Sequence, residues 1–426
     1  MINNLQTTEQ NKKTNKSLRI LADVPPMPTK ERLEKYKEAG FTHYVMTEDY
    51  IKFRTADGKS ITDEYFGALD LAHKVGLKTI MRTMRDDPGY FDGFTNELKS
   101  RADGYYLCDE PSYEELDWEY ESATIAQLPK IVEWYNNYGN NTFFHINLLQ
   151  SYGVKMLHGL KYTYEEYLRY YIDNVLVNVK GTKTLSTDHY PLAEEDGKRY
   201  LKSLYLYDFL LIATLAKELI EKGHDVERGY CVQACKMEGL KCREIESTAD
   251  IRFQINVALA CGAKQLEYYL YAGHGTGIFP DMETQNEYSK TYDYVKEANS
   301  EIHNLGNIIT DFEWSGVKTF NVGAEELDAF SAAKSLTLDK FKGLEEFTST
   351  ENAIVGEFFK DGVYGYMAVN YTEPSFNKNN LVTFTMKDVE KVMLVHAGNV
   401  SEINTTNGKV TVELKEGEGV FICPIK

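Results

Sequence analysis

The chain is poor in histidine, cysteine, tryptophan and positive charge. Nine His are spread over 426 residues, with no His-x-His and no His-Glu-x-x-His. A metal-dependent barrel hydrolase is expected to cluster its His ligands, so no metal and no other cofactor is expected. Six cysteines, Cys108, Cys231, Cys235, Cys242, Cys261 and Cys423, are scattered. Cys231 and Cys235 lie four apart without a second pair at zinc spacing. Buried free thiols are expected rather than a disulfide framework.

Lys and Arg number 47 against 65 Asp and Glu, a net charge of −18. Binding a nucleic-acid backbone requires a basic face, so nucleic acid is excluded as partner and an anionic membrane surface is disfavoured. No apolar run is long enough to span a bilayer. Residues 1–17 form a polar tail without an apolar signal region, which implies a cytoplasmic protein, or a secreted one whose signal has been removed. A neutral or cationic ligand is easier to accept, and assembly into a homo-oligomer is left open.

What is present is a globular composition, 42% hydrophobic and 26% charged, with thirty-one Tyr. The length suggests two domains, or three. From Leu18 onward, short apolar runs alternate with helical spacing. Strands are expected at Leu18 to Val24, Thr42 to Met46, Leu77 to Thr83, Tyr105 to Cys108, Thr142 to Leu149, Lys183 to Thr187, Gly229 to Lys236 and Lys264 to Tyr271. Helices follow them, several closed by Gly40, Gly76, Gly223 and Gly262. Eight strand–helix units over about 290 residues suit a (β/α)₈ TIM barrel, here 18–312. A doubly wound sheet also alternates, but no Gly-rich phosphate loop follows the first strand; Pro25-Pro26 stands there. From Trp314 the texture becomes short strand-like runs separated by Asp361-Gly362, Asn407-Gly408 and Gly417-Glu418-Gly419. That pattern predicts an antiparallel β-sandwich domain over 313–426.

In such a barrel the carboxyl ends of the strands face one pocket. They bring Asp23, then Glu48 and Asp49, then Arg82 and Arg85. Strand four ends in Asp109-Glu110-Pro111, strand five supplies Asn147 and strand six Asp188-His189-Tyr190. Strand seven supplies Gln233 and Lys236, strand eight Tyr269, Tyr271 and, beyond it, His274. Each residue alone is compatible with a helix cap or a structural hydrogen bond; their collection at one end is the signal. Carboxylates among amides and aromatics suit glycoside hydrolysis. One carboxylic acid protonates the leaving oxygen and a second carboxylate attacks carbon or activates water. Tyr faces stack on sugar rings.

On these residues the chain resembles the (β/α)₈ glycoside hydrolases of clan A, in particular β-galactosidase-like members with a C-terminal β-sandwich. In that clan the acid/base Glu ends strand four in Asn-Glu-Pro. The resemblance implies Glu110 of Asp109-Glu110-Pro111 as general acid/base. The clan's nucleophilic Glu ends strand seven, where this chain has Gly229 to Lys236 with Gln233 and no carboxylate before Glu238. Asp188 is then the expected base or nucleophile, with Glu267 as second choice. Asp109 and Asn147 orient them, and His189, Tyr190, Gln233 and Tyr271 bind sugar, with Asp23 and Glu48 at the pocket. The expected activity is hydrolysis of a neutral sugar or oligosaccharide. The alternatives are a sugar-binding barrel that has lost its strand-seven nucleophile, or a barrel lyase or hydrolase of other chemistry.

Overall fold

The computed structural model describes residues 17–47, 51–52, 55–57, 60–82, 96–117, 122–140, 142–273, 275–279, 287–322 and 330–425. Glu48, Asp49, Arg85 and His274 lie outside them.

Eight parallel strands form the first sheet: β1 (Arg19–Ala22), β2 (His43–Met46), β3 (Lys78–Arg82), β4 (Gly104–Asp109), β5 (Phe143–Leu148), β6 (Lys183–Thr187), β7 (Val226–Gln233) and β8 (Ala263–Tyr269). Their order is β1-β8-β7-β6-β5-β4-β3-β2. The two ends meet through Thr42, whose amide donates to Ile20 O at 2.9 Å and whose hydroxyl accepts from Ile20 N at 2.9 Å. The sheet is thus a nearly closed barrel, as the alternation predicts.

The strands are walled by helices α1 (Lys30–Glu38), α2 (Asp63–Lys74), α3 (Asn96–Arg101), α4 (Pro129–Tyr138), α5 (Ser151–His158), α6 (Tyr164–Asn174), α7 (Tyr205–Glu221), α8 (Thr248–Ala260) and α9 (Lys290–Ile309). Their starts follow from capping chemistry. Thr163 opens α6 with a capping box: Thr163 N donates to Glu166 Oε2 at 2.7 Å, and Glu166 N returns to Thr163 Oγ1 at 3.2 Å. Two elements add to the expected set. One is α5. The other is a hairpin of Leu192–Glu195 and Lys198–Leu201 turned at Asp196-Gly197, both at positive φ.

The barrel interior is filled by alternate residues of each strand. Leu21, Val45, Ile80, Tyr106 and Phe143 form its apolar cluster. Polar pairs complete it. Arg19 bonds Glu227 and lies 3.9 Å over the Phe143 ring. His145 of β5 meets Glu267 of β8 at 3.0 Å across the barrel. The outward residues pack under the helices in one large core.

Strand β9 (Glu313–Phe320) leaves the barrel for an antiparallel region with β10 (Glu346–Ser349), β11 (Ala353–Lys360), β12 (Val363–Asn370), β13 (Asn380–Thr385), β14 (Lys391–His396), β15 (Asn399–Asn404), β16 (Lys409–Leu414) and β17 (Gly419–Pro424). A six-stranded sheet, β9-β11-β12-β17-β14-β15, faces a three-stranded one, β10-β13-β16. Period-two alternation sends Val355, Ala368, Val420 and Ile422 into the space between the sheets, with Val382, Phe384 and Val410 opposite. It sends Ile354, Met367, Val369 and Phe421 of the same strands into the core shared with the barrel. The sandwich therefore buries both faces of its larger sheet. Helix α8 lies between barrel and sandwich, which explains why it is buried nearly all round, its polar Asp250, Gln254 and Asn256 included.

Candidate active site

A cavity of about 380 Å³ opens at the carboxyl ends of the barrel strands. Five carboxylates line it: Asp23, Asp109, Glu110, Asp188 and Glu267. Tyr106, Asn147, Gln150, Tyr190, Cys231 and Tyr269 complete its polar wall, with Met156, Met237 and Leu240 among the apolar ones.

Strand β4 places two carboxyl groups here by a local irregularity. Its register against β5 slips between Tyr106 and Asp109: Tyr106 faces His145 and Asp109 faces Asn147, so one extra residue sits on β4. A bulge of this kind re-aims the side chains beyond it. Without it, Asp109 would fall on the outer face of the alternation. Glu110 follows at φ +45, its amide donating to Asn147 O at 2.9 Å. This left-handed turn is uncommon for a residue other than glycine. Together they turn consecutive side chains into the same cavity.

Asp109 is held from below. Its Oδ1 accepts from Tyr106 Oη at 2.9 Å and Asn147 Nδ2 at 3.2 Å, and its Oδ2 from Arg82 Nη2 at 3.0 Å. Arg82 also bonds Asp23 and lies 4.6 Å over the Tyr106 ring. Asn147 is fixed in turn by Ser186 Oγ at 3.3 Å. The Asp109 side chain is still 40% exposed, toward the cavity.

Glu110 and Asp188 are hydrogen-bonded to each other. Burial, and next the charge of Asp109, push the Glu110 carboxyl up to about 7, against the opposing pull of the Asp188 hydrogen bond. Burial first and the Glu110 charge second hold Asp188 well above the usual carboxylate range. Two buried carboxyls in contact cannot both ionise, so the pair retains a proton at neutral pH. Tyr190 Oη donates to Asp188 Oδ2 at 3.5 Å. Glu267 is likewise raised, by burial first, while burial lowers its partner His145 to about 3. That pair is therefore a neutral imidazole beside a carboxyl group held toward its protonated form. Among the described residues no group of His, Cys, Asp and Glu is arranged to hold a metal ion.

The structure brings Asp23, Asp109, Glu110, Asn147, Asp188 and Tyr190 together at this cavity, with Glu267. Three expected sugar-binding residues stand elsewhere. The His189 ring turns away to α7, where Nδ1 meets Asp208 Oδ2 at 2.6 Å. Asp208 also accepts from the amide and hydroxyl of Ser151, both at 2.9 Å, so Asp208 fastens both α5 and His189 to α7. Gln233 spends its side chain on backbone, accepting from Leu192 N at 3.3 Å and donating to Arg243 O at 2.7 Å. Tyr271 lies past the end of β8 and packs under α1 against Tyr36 and Phe41, ring centroids 5.0 and 5.6 Å away. Glu48 is outside the described residues.

Asp188 lines the same cavity beside Glu110. Tyr106 and Gln150 are added to the site, and Arg82, expected at the strand ends, stands beneath it. Period-two alternation from Asp109 back along β4 would have assigned Tyr106 to the outside; only the bulge puts both inside.

Comparison with protein-family models gives no match, and comparison with curated protein sequences gives none. Solved structures are similar in backbone. With a protein of Bacteroides fragilis NCTC 9343 named as a candidate alpha-galactosidase/melibiase, the TM-score is 0.52 at 10% identity, over 96% of this chain and 79% of that one. With a GH30 endoxylanase from Clostridium papyrosolvens C71 it is 0.48 at 10% identity, over 99% and 98%. With an alpha-amylase from Anoxybacillus it is 0.46 at 11% identity, over 97% and 99%. The first of these is a likeness of fold: the chain is a (β/α)₈ barrel with a C-terminal β-sandwich, a fold that glycoside hydrolases use.

Proposed function

We propose that the protein is a glycoside hydrolase with Glu110 as its general acid. The observation that carries this reading is a carboxyl group raised to about 7 in a carboxylate-lined cavity at the strand ends of a barrel. A general acid works best with a pKa near the working pH. Glu110 delivers its proton to the leaving glycosidic oxygen. Asp188 shares that proton and orients the carboxyl group. Asp109, a charge fixed by Arg82, Tyr106 and Asn147, faces the positive charge that develops at the anomeric carbon, and such a preorganised charge lowers the barrier without reorganising. Tyr190 and Tyr269 supply aromatic surface for a sugar ring, and Asn147 and Gln150 supply amides for its hydroxyls.

A second reading, a sugar-binding barrel without turnover, is favoured by Cys231, which lines the cavity from β7 where the clan carries its nucleophile. A panel of aryl glycosides and natural oligosaccharides separates the two. Turnover by the wild type that falls by about 10²–10⁴-fold in Glu110→Gln, with the fold unchanged by circular dichroism, supports the enzyme. Sugar binding without any product supports the binding protein, and near-normal turnover in Glu110→Gln removes Glu110 from the role.

A further inference from the structure

We infer that the substrate is a β-linked N-acetylhexosaminide that supplies its own nucleophile, with Asp109 receiving the N–H of its 2-acetamido group. This rests on the glycosidase reading above and names its substrate class.

A retaining enzyme with a protein nucleophile needs a carboxylate facing Glu110 across the anomeric carbon. Among the described residues the other carboxylates of the cavity are paired or buried. Asp23 is paired with Arg82 and its side chain is 13% exposed. Glu267 is bound to His145 and is 3% exposed. Asp188 is bound to Glu110 itself and is 6% exposed. Cys231, the residue that β7 presents, is held as a thiol by burial and then by the carboxylates around it, and a thiol is a poor nucleophile. An inverting mechanism needs an ionised carboxylate base on the face opposite Glu110; Asp188 is buried beside Glu110 and is held toward its protonated form by burial and the Glu110 charge.

What stays open is Asp109, the neighbour of Glu110 in sequence and on the same wall. An ionised carboxylate has about four acceptor sites. Three side-chain donors, from Arg82, Tyr106 and Asn147, occupy Asp109 from the barrel side. The exposed side of the group keeps room for one more donor. Asp109 is fixed from behind and directly precedes the acid in the chain. It can hold and polarise an N–H on the ring carbon next to the anomeric centre. A 2-hydroxyl group would need deprotonation before it could attack. A 2-acetamido group attacks through its neutral carbonyl oxygen, and Asp109 then faces the cation that forms.

The amide carbonyl oxygen forms a bond to C1 as the C1–O glycosidic bond breaks, and Glu110 gives its proton to the departing oxygen. The product is a cyclic oxazolinium ion with its N–H on Asp109. Water then adds to C1 and the C1–O bond to the amide breaks. Glu110, now ionised, takes the proton of that water. The net reaction consumes one water and retains the anomeric configuration. The attacking oxygen must lie trans to the leaving group, so gluco- and galacto-configured substrates must be β-linked.

The test uses the full chain. Hydrolysis is measured on 4-nitrophenyl β-N-acetylglucosaminide and β-N-acetylgalactosaminide, their N-trifluoroacetyl analogues, and the corresponding β-glucoside and β-galactoside. Calorimetry measures binding of the gluco- and galacto-configured thiazolines, stable mimics of the cyclic ion. The expected results are turnover of an acetamido substrate that falls with fluorination, and one thiazoline binding at least ~100-fold tighter than its parent sugar, a preference lost in Asp109→Asn. Turnover of a β-glucoside or β-galactoside equal to that of its acetamido counterpart overturns the inference and leaves the glycosidase reading standing. No turnover of any of these substrates, with no thiazoline preference, overturns the inference, and the glycosidase reading then falls only if the wider panel of glycosides and oligosaccharides also gives no product.

Discussion

Arg82 is a buried cation between two carboxylates, 9% exposed, and it also touches the Tyr106 ring. Removing one member of a buried ionic group strands the rest. Arg82→Met is expected to destabilise the fold by about 3–5 kcal/mol, read from urea unfolding at pH 7. Glu110 fixes a pH dependence. Its acid form is the working form and is lost as pH rises through about 7, so kcat/KM is expected to fall tenfold per pH unit above that point. An alkaline limb absent below pH 9 would count against Glu110 as the acid. At this scale the sequence was informative only where the backbone direction was simple. Asp23, Asn147 and Asp188 lie at strand ends and point where alternation sends them. His189, next to Asp188, takes the opposite, helix-facing side; Gln233, the last residue of β7, is drawn to backbone groups of neighbouring loops, and Tyr271 lies two residues past β8. Strand seven also begins three residues earlier than its apolar run suggests. The charged Glu227 and Arg228 look like loop residues, but Glu227 pairs with Arg19 inside the barrel and Arg228 lies 4.9 Å from the Trp314 ring.

Among the elements, the β4 bulge and helix α8 carry the most consequence. The bulge has no local sequence signature in Gly104 to Pro111, so apolar pattern alone could place the strand but not its last side chains. The hairpin at Asp196-Gly197 did have a signature, since an Asp-Gly turn accommodates two residues at positive φ. It was hidden by the polar character of Glu194 to Arg199. Helix α8 is clamped by close backbone approach. A Cβ on Gly356 would come within 2.3 Å of Ala260 O at the end of the helix. Trp314 Nε1 donates to that same carbonyl at 2.9 Å. Gly356→Ala must separate β11 from α8 or bend one of them. The expected cost is about 1–3 kcal/mol in unfolding free energy. A neutral substitution would show that barrel and sandwich are not packed backbone to backbone there.

At the scale of the whole molecule, barrel and sandwich are joined by buried charge as well as by apolar packing. Arg243 donates from Nε to Glu373 Oε1 at 2.8 Å and from Nη1 to Asp250 Oδ2 at 3.0 Å. The alternation of strands and helices, and its change of texture near Trp314, made both layers legible, because hydrophobic period is set by the gross architecture. The buried pairs that join them link residues far apart in sequence and leave no periodic trace. The same buried groups govern stability against pH. Glu110, Asp188 and Glu267 all have raised folded-state pKa values. Their protonated forms are favoured by the fold, so the stability they contribute is lost as pH rises through the folded values. His145 and His43 are lowered, by burial first, and oppose this trend only below the ordinary His range near ~6.5. Unfolding free energy is therefore expected to fall as pH rises from the ordinary carboxylate range near ~4 toward the folded Glu110 value of about 7, most steeply above ~6.5, where the histidines no longer oppose it. Asp188→Asn, which removes one buried acid, is expected to flatten that slope and to raise the urea midpoint at pH 8. An unchanged slope would mean that the pair is solvated and ordinary.

The most direct measurement is a ¹³C NMR titration of the Glu110 side-chain carboxyl in the folded wild-type protein, assigned by the signal missing from Glu110→Gln. A midpoint at about 7 is expected, from burial and the Asp109 charge. A midpoint near the ordinary glutamate value of ~4.3 would contradict a general acid held ready in this cavity.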